Sequence, residues 1–436
     1  MKVLNIAAAA VLTALCGSSH AAVRPTPAPV IAPVPVPVAP LVIEPAAIDG
    51  ALKGLVDSNA LVGVSALVFQ NDQEVYFGAF GQADRENNKP MTRDTIVQIF
   101  SMTKAITGVA LMQLYERGKF ELDAPLDAYA PEFANLKVFA GLDQAGQPKY
   151  EAPRRKPTMR DVLRHTAGFA AGPDDTSVGA IYRAVDPRAI TNTLPEFAQK
   201  LGTIPLAYQP GTRWLYSHSA DVQAYLVQKL SGVPFDEFVR LHIFKPLGMT
   251  TIRYTILPAD ADRPNLAALY TRNDDGSFTR QTDQEAYEFN GAAWPLKPGG
   301  YGFVSTIDDY MKFARMLQAG GKLGRARILK PETVKLMATD ALPKEVTDKS
   351  WLPSKGQVGF GIDFAVRIAL PKDAAESSGA VGEFFWDGAA STLFWVDPAN
   401  HITAVLFTQM KPFDKVHLHK TFRDAVYKND PVAHAH

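Results

Sequence analysis

The chain has 436 residues, is 47% hydrophobic and 21% charged, and carries 45 Lys+Arg against 45 Asp+Glu. This suits a globular protein of one large or two ordinary domains. It excludes the strong basic field that nucleic acid or an anionic membrane surface would require, and the sequence shows no basic stripe with interleaved aromatics and no heptads.

The first segments read as addressing and spacing, not as fold. Lys2 precedes an apolar run from Val3 to Cys16, and the small residues Ser19 and Ala21 follow two apart. That is the pattern of a secretory signal peptide over residues 1–21. The run is too short to span a bilayer. The expectation is therefore a periplasmic or secreted protein with no stable membrane insertion after cleavage. Cys16 is the only cysteine. Leu15, where a small residue would be needed, argues against a lipid anchor. A mature chain without cysteine has no disulfide, thiol nucleophile or cysteine-ligated zinc. Residues 22–47, rich in Pro, Val and Ala, read as an extended linker, which leaves residues 48–430 as the folded domain.

"ALVGVSALVFQNDQEVYFGAFGQAD" predicts two strands around Asn71-Asp72. "STLFWVDPANHITAVLFTQM" predicts two more around Asp397-Pro398-Ala399-Asn400. Strands at both ends with helices between predict an α+β fold whose ends meet in one antiparallel sheet. The stretch from about 123 to 298 reads as a mainly helical lobe inserted into it. "TMRDVLRHT", "LPEFAQKLG" and "SADVQAYLVQKLSG" are its helices, the last with a glycine stop.

"QIFSMTKAITGVALMQLYERGK", Gln98 to Lys119, predicts a helix starting at Ser101 and stopping at Gly118. Its apolar residues cover too much of the circumference for a surface helix, yet Lys104 sits in its first turn. Residues three apart share a helix face, so Ser101 and Lys104 are neighbours. The helix dipole and burial both favour a neutral amine there. Such an amine can take the proton of a serine hydroxyl and make it a nucleophile, and the free N–H groups of a helix start can hold an oxyanion. Read alone, the same pattern fits an N-cap serine followed by a snorkelling lysine.

Two later segments bear on that choice. "QPGTRWLYSHSADVQAYLV" predicts a turn, a short aromatic strand and a helix, with Tyr216 at the junction and able to relay protons. "FFWDGAASTLFWV" places Trp386-Asp387-Gly388 near the beginning of a sheet strand. There Gly388 would let a ligand approach the backbone, and the Ala389 N–H could be a second oxyanion donor.

These three segments, in this order, resemble the serine β-lactamase and penicillin-binding protein superfamily, and within it the class C β-lactamase-like esterases, the family VIII carboxylesterases. "MRDVLRHTAGF", "FKPLGMTTI" and "PGGYGFVSTIDDYMKFARML" agree, and the resemblance spans about Ile48 to Met410. It implies a sandwich lobe and a helical lobe with the site between them. It also implies Ser101 as acylated nucleophile, Lys104 as base, Tyr216 as relay, and the N–H groups of Ser101 and Ala389 as oxyanion hole. Two departures bear on substrate. Tyr216-Ser217-His218 stands where class C β-lactamases have Tyr-x-Asn, and Trp386-Asp387-Gly388 where they have Lys-Thr-Gly. The expectation is a small uncharged carboxylic ester bound by Trp386, Asp387, Gly388 and His218, with no cofactor and no metal. A weak β-lactamase, a D-amino-acid peptidase or an idle envelope-binding protein are the alternatives.

Other features are read as structural. His165 is taken as a loop-fixing hydrogen bonder, and His417, His419 and the terminal "HAH" as a solvated tail. "GGYG", Gly299 to Gly302, is taken as a tight turn near the cleft. No Gly-x-Ser-x-Gly occurs, which argues against an α/β-hydrolase.

Overall fold

The structure is a computed structural model that describes residues 41–430 apart from residue 175. The expected signal segment, most of the linker and the terminal "HAH" lie outside the described residues. The part of the linker that is described is packed, and its last residues, 45–47, are helical. Leu41 and Ile43 are buried, and helix α1 (Pro45–Asp57) begins there, with proline where a helix tolerates its missing N–H. The packed chain therefore starts ahead of residue 48.

One eight-stranded sheet organises the described residues. Its strands, in chain order, are β1 (Gly63–Gln70), β2 (Gln73–Asp84), β3 (Lys89–Pro90), β4 (Val358–Phe360), β5 (Ala365–Arg367), β6 (Phe384–Asp387), β7 (Leu393–Asp397) and β8 (Ile402–Phe407). The spatial order is β4-β5-β6-β7-β8-β1-β2-β3, antiparallel at each pairing. The early and late hairpins join where Ser65 faces Phe407 and Gln70 faces Ile402. Asn71 and Asp72 both take positive φ (51° and 62°), the geometry a two-residue hairpin turn needs. In the second turn the Asp397 carboxylate accepts the N–H groups of Ala399 and Asn400.

Strands β6, β7 and β8 are buried along their whole lengths because both faces of the sheet are covered. Phe394 and Trp395 are adjacent on β7 and so point to opposite faces. Phe394 meets Tyr310 of α4 (Ile307–Gln318) at 5.1 Å between ring centroids. Trp395 meets Phe422 of α5 (Leu418–Val426) at 5.2 Å.

Helix α2 (Thr103–Glu116) is buried from Thr103 to Leu114 and packs on α3 (Ser219–Ser231). Gly118, with φ 67°, follows its end, and Gly232, with φ 74°, caps α3. Between residues 123 and 298 the chain also forms helices Met159–Leu163, Ser177–Val185 and Leu194–Leu201 and two short antiparallel ladders.

Three local expectations are corrected. The aromatic stretch 213–217 is irregular, because the N–H groups of Trp214 and Leu215 bond to the Asp348 and His165 carbonyls on loops, not to a strand. Trp386 and Asp387 end a strand instead of beginning one, since the β6–β7 pairing stops at Asp387 opposite Leu393. His419 lies buried on α5, with Nε2 2.9 Å from the Ser391 carbonyl, and is not on a solvated tail.

Candidate active site

Ser101 lies in a tight turn, Phe100–Met102, that leads directly into α2. Phe100 before it has φ 44°, a left-handed conformation that a bulky residue holds only when its surroundings fix it. The corner between β6 and β7 supplies the fixing. Gly388 comes so close that an added Cβ would stand 2.5 Å from the Ile99 carbonyl oxygen and 3.2 Å from Phe100 Cβ. Thr392 Oγ1 donates to the same carbonyl. The glycine therefore admits the chain carrying the serine, not a ligand. The same contact sets the exposed Ala389 beside the serine turn.

Lys104 Nζ lies 3.2 Å from Ser101 Oγ and donates to the Gly300 carbonyl at 2.7 Å. It stands 4.6 Å from the centre of the Tyr216 ring. The lysine is 6% exposed. Burial is the largest influence on its ammonium and Arg188 adds to it. Asp221, Asp363 and Asp387 oppose them, and the pKa falls to about 8. Burial pushes the Tyr216 phenol the other way, well above its ordinary range, although hydrogen bonds from Ser101 and Trp386 favour the phenolate. At neutral to mildly alkaline pH a neutral amine is thus accessible and a phenolate is not. The two side chains beside the serine thus differ in which protonation state burial favours: the amine of Lys104 and the phenol of Tyr216.

His165 clamps Tyr216 from behind. It takes φ 60°, its carbonyl accepts the Leu215 N–H, and its Nδ1 accepts the Ser217 N–H at 3.3 Å. The N–H groups of both residues next to Tyr216 are thereby held by one residue. Burial lowers the His165 pKa to about 3, so the ring stays neutral with its proton on Nε2, 3.8 Å from Asp363 Oδ1. Burial raises the Asp363 pKa to about 8. The "GGYG" stretch does more than turn near the cleft. Its Gly300 carbonyl anchors Lys104, and its Gly300 N–H donates to Asp221 at 2.8 Å.

The residues expected to bind substrate are placed unequally. Trp386 is 1% exposed and donates its indole N–H to the Tyr216 hydroxyl at 3.2 Å, so it orients the tyrosine. Asp387 forms a buried ion pair with Lys355, whose Nζ is also about 5 Å from the rings of Trp351, Trp386 and Phe413. His218 stacks on Tyr182 at 5.0 Å and sets Nδ1 3.3 Å from Asp221, with no hydrogen bond or ring contact to Ser101, Lys104 or Tyr216. Burial, the largest influence, lowers its pKa.

Sequence reasoning missed Lys355, Asp363 and Arg188 as parts of this site, and it placed Gly300 near the cleft without its contact to Lys104. No local pattern marks them, because they reach it across long separations: Lys104 to Gly300 is 196 residues. Among the described residues no group of His, Cys, Asp and Glu could hold a metal ion, and no helix is long and apolar enough to cross a membrane.

Comparison with known proteins gives a consistent family. A Mycobacterium tuberculosis protein (Protein Rv1367c) is 31% identical over 375 residues, covering 84% of this chain and 90% of that one. A lovastatin esterase of Penicillium rubens is 27% identical over 412 residues, covering 87% and 98%. The structure of simvastatin synthase from Aspergillus terreus superposes with a TM-score of 0.74 at 23% identity, covering 89% and 100%, which shows a shared fold. The family model described as Beta-lactamase matches residues 48–427, and the chain belongs to that family.

Proposed function

We propose that the protein is a serine esterase that cleaves small carboxylic esters through an acyl-enzyme on Ser101. The observation that carries this reading is Lys104: a buried amine 3.2 Å from Ser101 Oγ, held by a backbone carbonyl and not by a carboxylate. Lys104 takes the proton of Ser101 as Oγ attacks the ester carbonyl. The backbone N–H groups of Ser101 and Ala389 receive the developing oxyanion. Tyr216 delivers a proton to the leaving alkoxide as it receives the proton held by Lys104, and the alcohol departs. Water then attacks the acyl-enzyme, Lys104 takes the proton of that water and returns it to Ser101 Oγ as the acid is released.

The family and the esterase relative support hydrolysis of an ester over an idle binding role, as does the completeness of the Ser101, Lys104 and Tyr216 set. Trp386 in place of a strand lysine supports an ester over a β-lactam. The signal-like residues 1–21 support action in the periplasm or outside the cell. The test is hydrolysis of 4-nitrophenyl acetate and butyrate beside nitrocefin, with the acyl-enzyme weighed by mass spectrometry. Ester turnover with an acyl adduct on Ser101 is expected. Strong nitrocefin turnover without esterase activity would overturn the reading in favour of a β-lactamase.

A further inference from the structure

A cavity of about 870 Å³ opens beside Ala389, and Lys411, Arg272, Lys415 and Phe413 form part of its wall. A second, of about 170 Å³, shares Lys411 and is walled by Phe100 and Tyr301. Lys411 thus borders both neighbours of the reaction centre: the residue before the nucleophile and the second oxyanion donor. Its Nζ stands 5.1 Å from the centre of the Phe100 ring.

The cations around this groove differ in what neutralises them. Lys415 is paired with Asp274 at 2.6 Å, Arg272 faces Asp275, and Lys355 is closed off by Asp387 and three rings. Lys411 is half-buried, burial lowers its pKa, and no carboxylate among the described residues comes within ion-pair distance of its Nζ. Glu285 and Glu288 wall the smaller cavity without pairing with it, and Glu285 is engaged by the N–H and hydroxyl of Thr282. A partly desolvated ammonium without a counter-charge is unfavourable for the free protein. A ligand carboxylate at that point would form a short charge-assisted hydrogen bond and relieve the cost.

We propose that Lys411 is a specificity-determining residue that receives a carboxylate of the substrate, so that the preferred esters also carry an acid group, as half-esters of dicarboxylic acids or acyl esters of hydroxy acids do. This rests on the serine-esterase reading and narrows its substrate class from small carboxylic esters to acidic ones, in place of the uncharged ester expected from Trp386. Phe100 and Phe413 pack against the apolar stem between the ester and the acid.

Two matched pairs test it: 4-acetoxybenzoate beside its methyl ester, and mono-4-nitrophenyl adipate beside its methyl ester. The wild type should prefer the acidic member of at least one pair by about tenfold in kcat/KM. Lys411→Gln should bring that ratio close to one, and Lys411→Arg should keep most of it. Should Lys411→Gln fail to fold, the wild-type ratio still reads the contact, and it should fall as salt is raised. A wild-type ratio near one in both pairs overturns the proposal while leaving the esterase reading intact, and so does a ratio that Lys411→Gln leaves unchanged. Hydrolysis that survives Ser101→Ala overturns the esterase reading, and this proposal with it.

Discussion

Lys104 and Lys355 are both buried within the same site, and the protein treats them in opposite ways. Lys355 is given a carboxylate, Asp387, and three aromatic rings. Lys104 is given a carbonyl, a serine hydroxyl and the face of Tyr216, with its nearest acids acting only through space. The paired lysine is bound by its carboxylate and its rings and shapes the wall. The unpaired one is destabilised as a cation, which is the condition for a base that works near neutral pH. The two differ in whether a carboxylate touches the amine, and the proposed role of Lys104 as base rests on that contrast.

The comparison can be broken at several points. Ser101→Ala should lower kcat by about 10⁵-fold or more and abolish the acyl adduct while leaving the melting temperature near wild type, as esterase assay, mass spectrometry and calorimetry would report. Lys104→Met should lower kcat/KM by about 10³-fold. Lys355→Met should act on stability instead: it strands the Asp387 carboxylate and should cost about 3–5 kcal/mol in denaturant titration. The double variant with Asp387→Asn should recover much of that loss. If Lys355→Met is harmless and Lys104→Met unfolds the protein, the contrast between the two lysines is wrong.

A subtler effect concerns pH and stability. The folded pKa of Lys104, about 8, lies below its unfolded value of 10.5. Below pH 8 both states carry the proton and the folded state bears the full penalty. As pH rises from about 8 to 10.5 that penalty is lifted, a gain of about 3 kcal/mol at 1.36 kcal/mol per pKa unit. Wild-type protein should gain this stability relative to Lys104→Met over that window. The smallest effect expected is from Asp363→Asn. Asp363, its pKa raised to about 8 by burial, bears on Lys104 only as it ionises, so its loss should move the rising limb of the rate profile down by about half a unit or less.

Much of the scaffold is legible in the sequence because the signals are local. The alternating strands around Asn71-Asp72 and Asp397–Asn400 predict the hairpins, and the strand at each end predicts their union. The spacing of Ser101 and Lys104 on one helix face predicts their contact. Long-range placement was not legible. Trp214 to Ser217 look like a strand by composition, but their N–H groups are claimed by loops at His165 and Asp348. Gly388 suggests room for a ligand, but the space is filled by the chain that carries the nucleophile. Asp387 could not be read as one half of an ion pair because Lys355, 32 residues away, sits in an unremarkable turn. His165 was readable as a loop-fixing residue, yet nothing local said that the loop it fixes carries Tyr216.

The most direct test of the account is the pH dependence of acylation in a single turnover with 4-nitrophenyl butyrate. The groups facing Lys104 are Arg188, Asp221, Asp363 and Asp387, and together with burial they set its titration. The account predicts a rate that rises with pH along a single limb with an apparent pKa near 8, and a limb that disappears in Lys104→Met. A rate independent of pH between about 6 and 10, or a limb that persists in Lys104→Met, would contradict the assignment of Lys104 as the base.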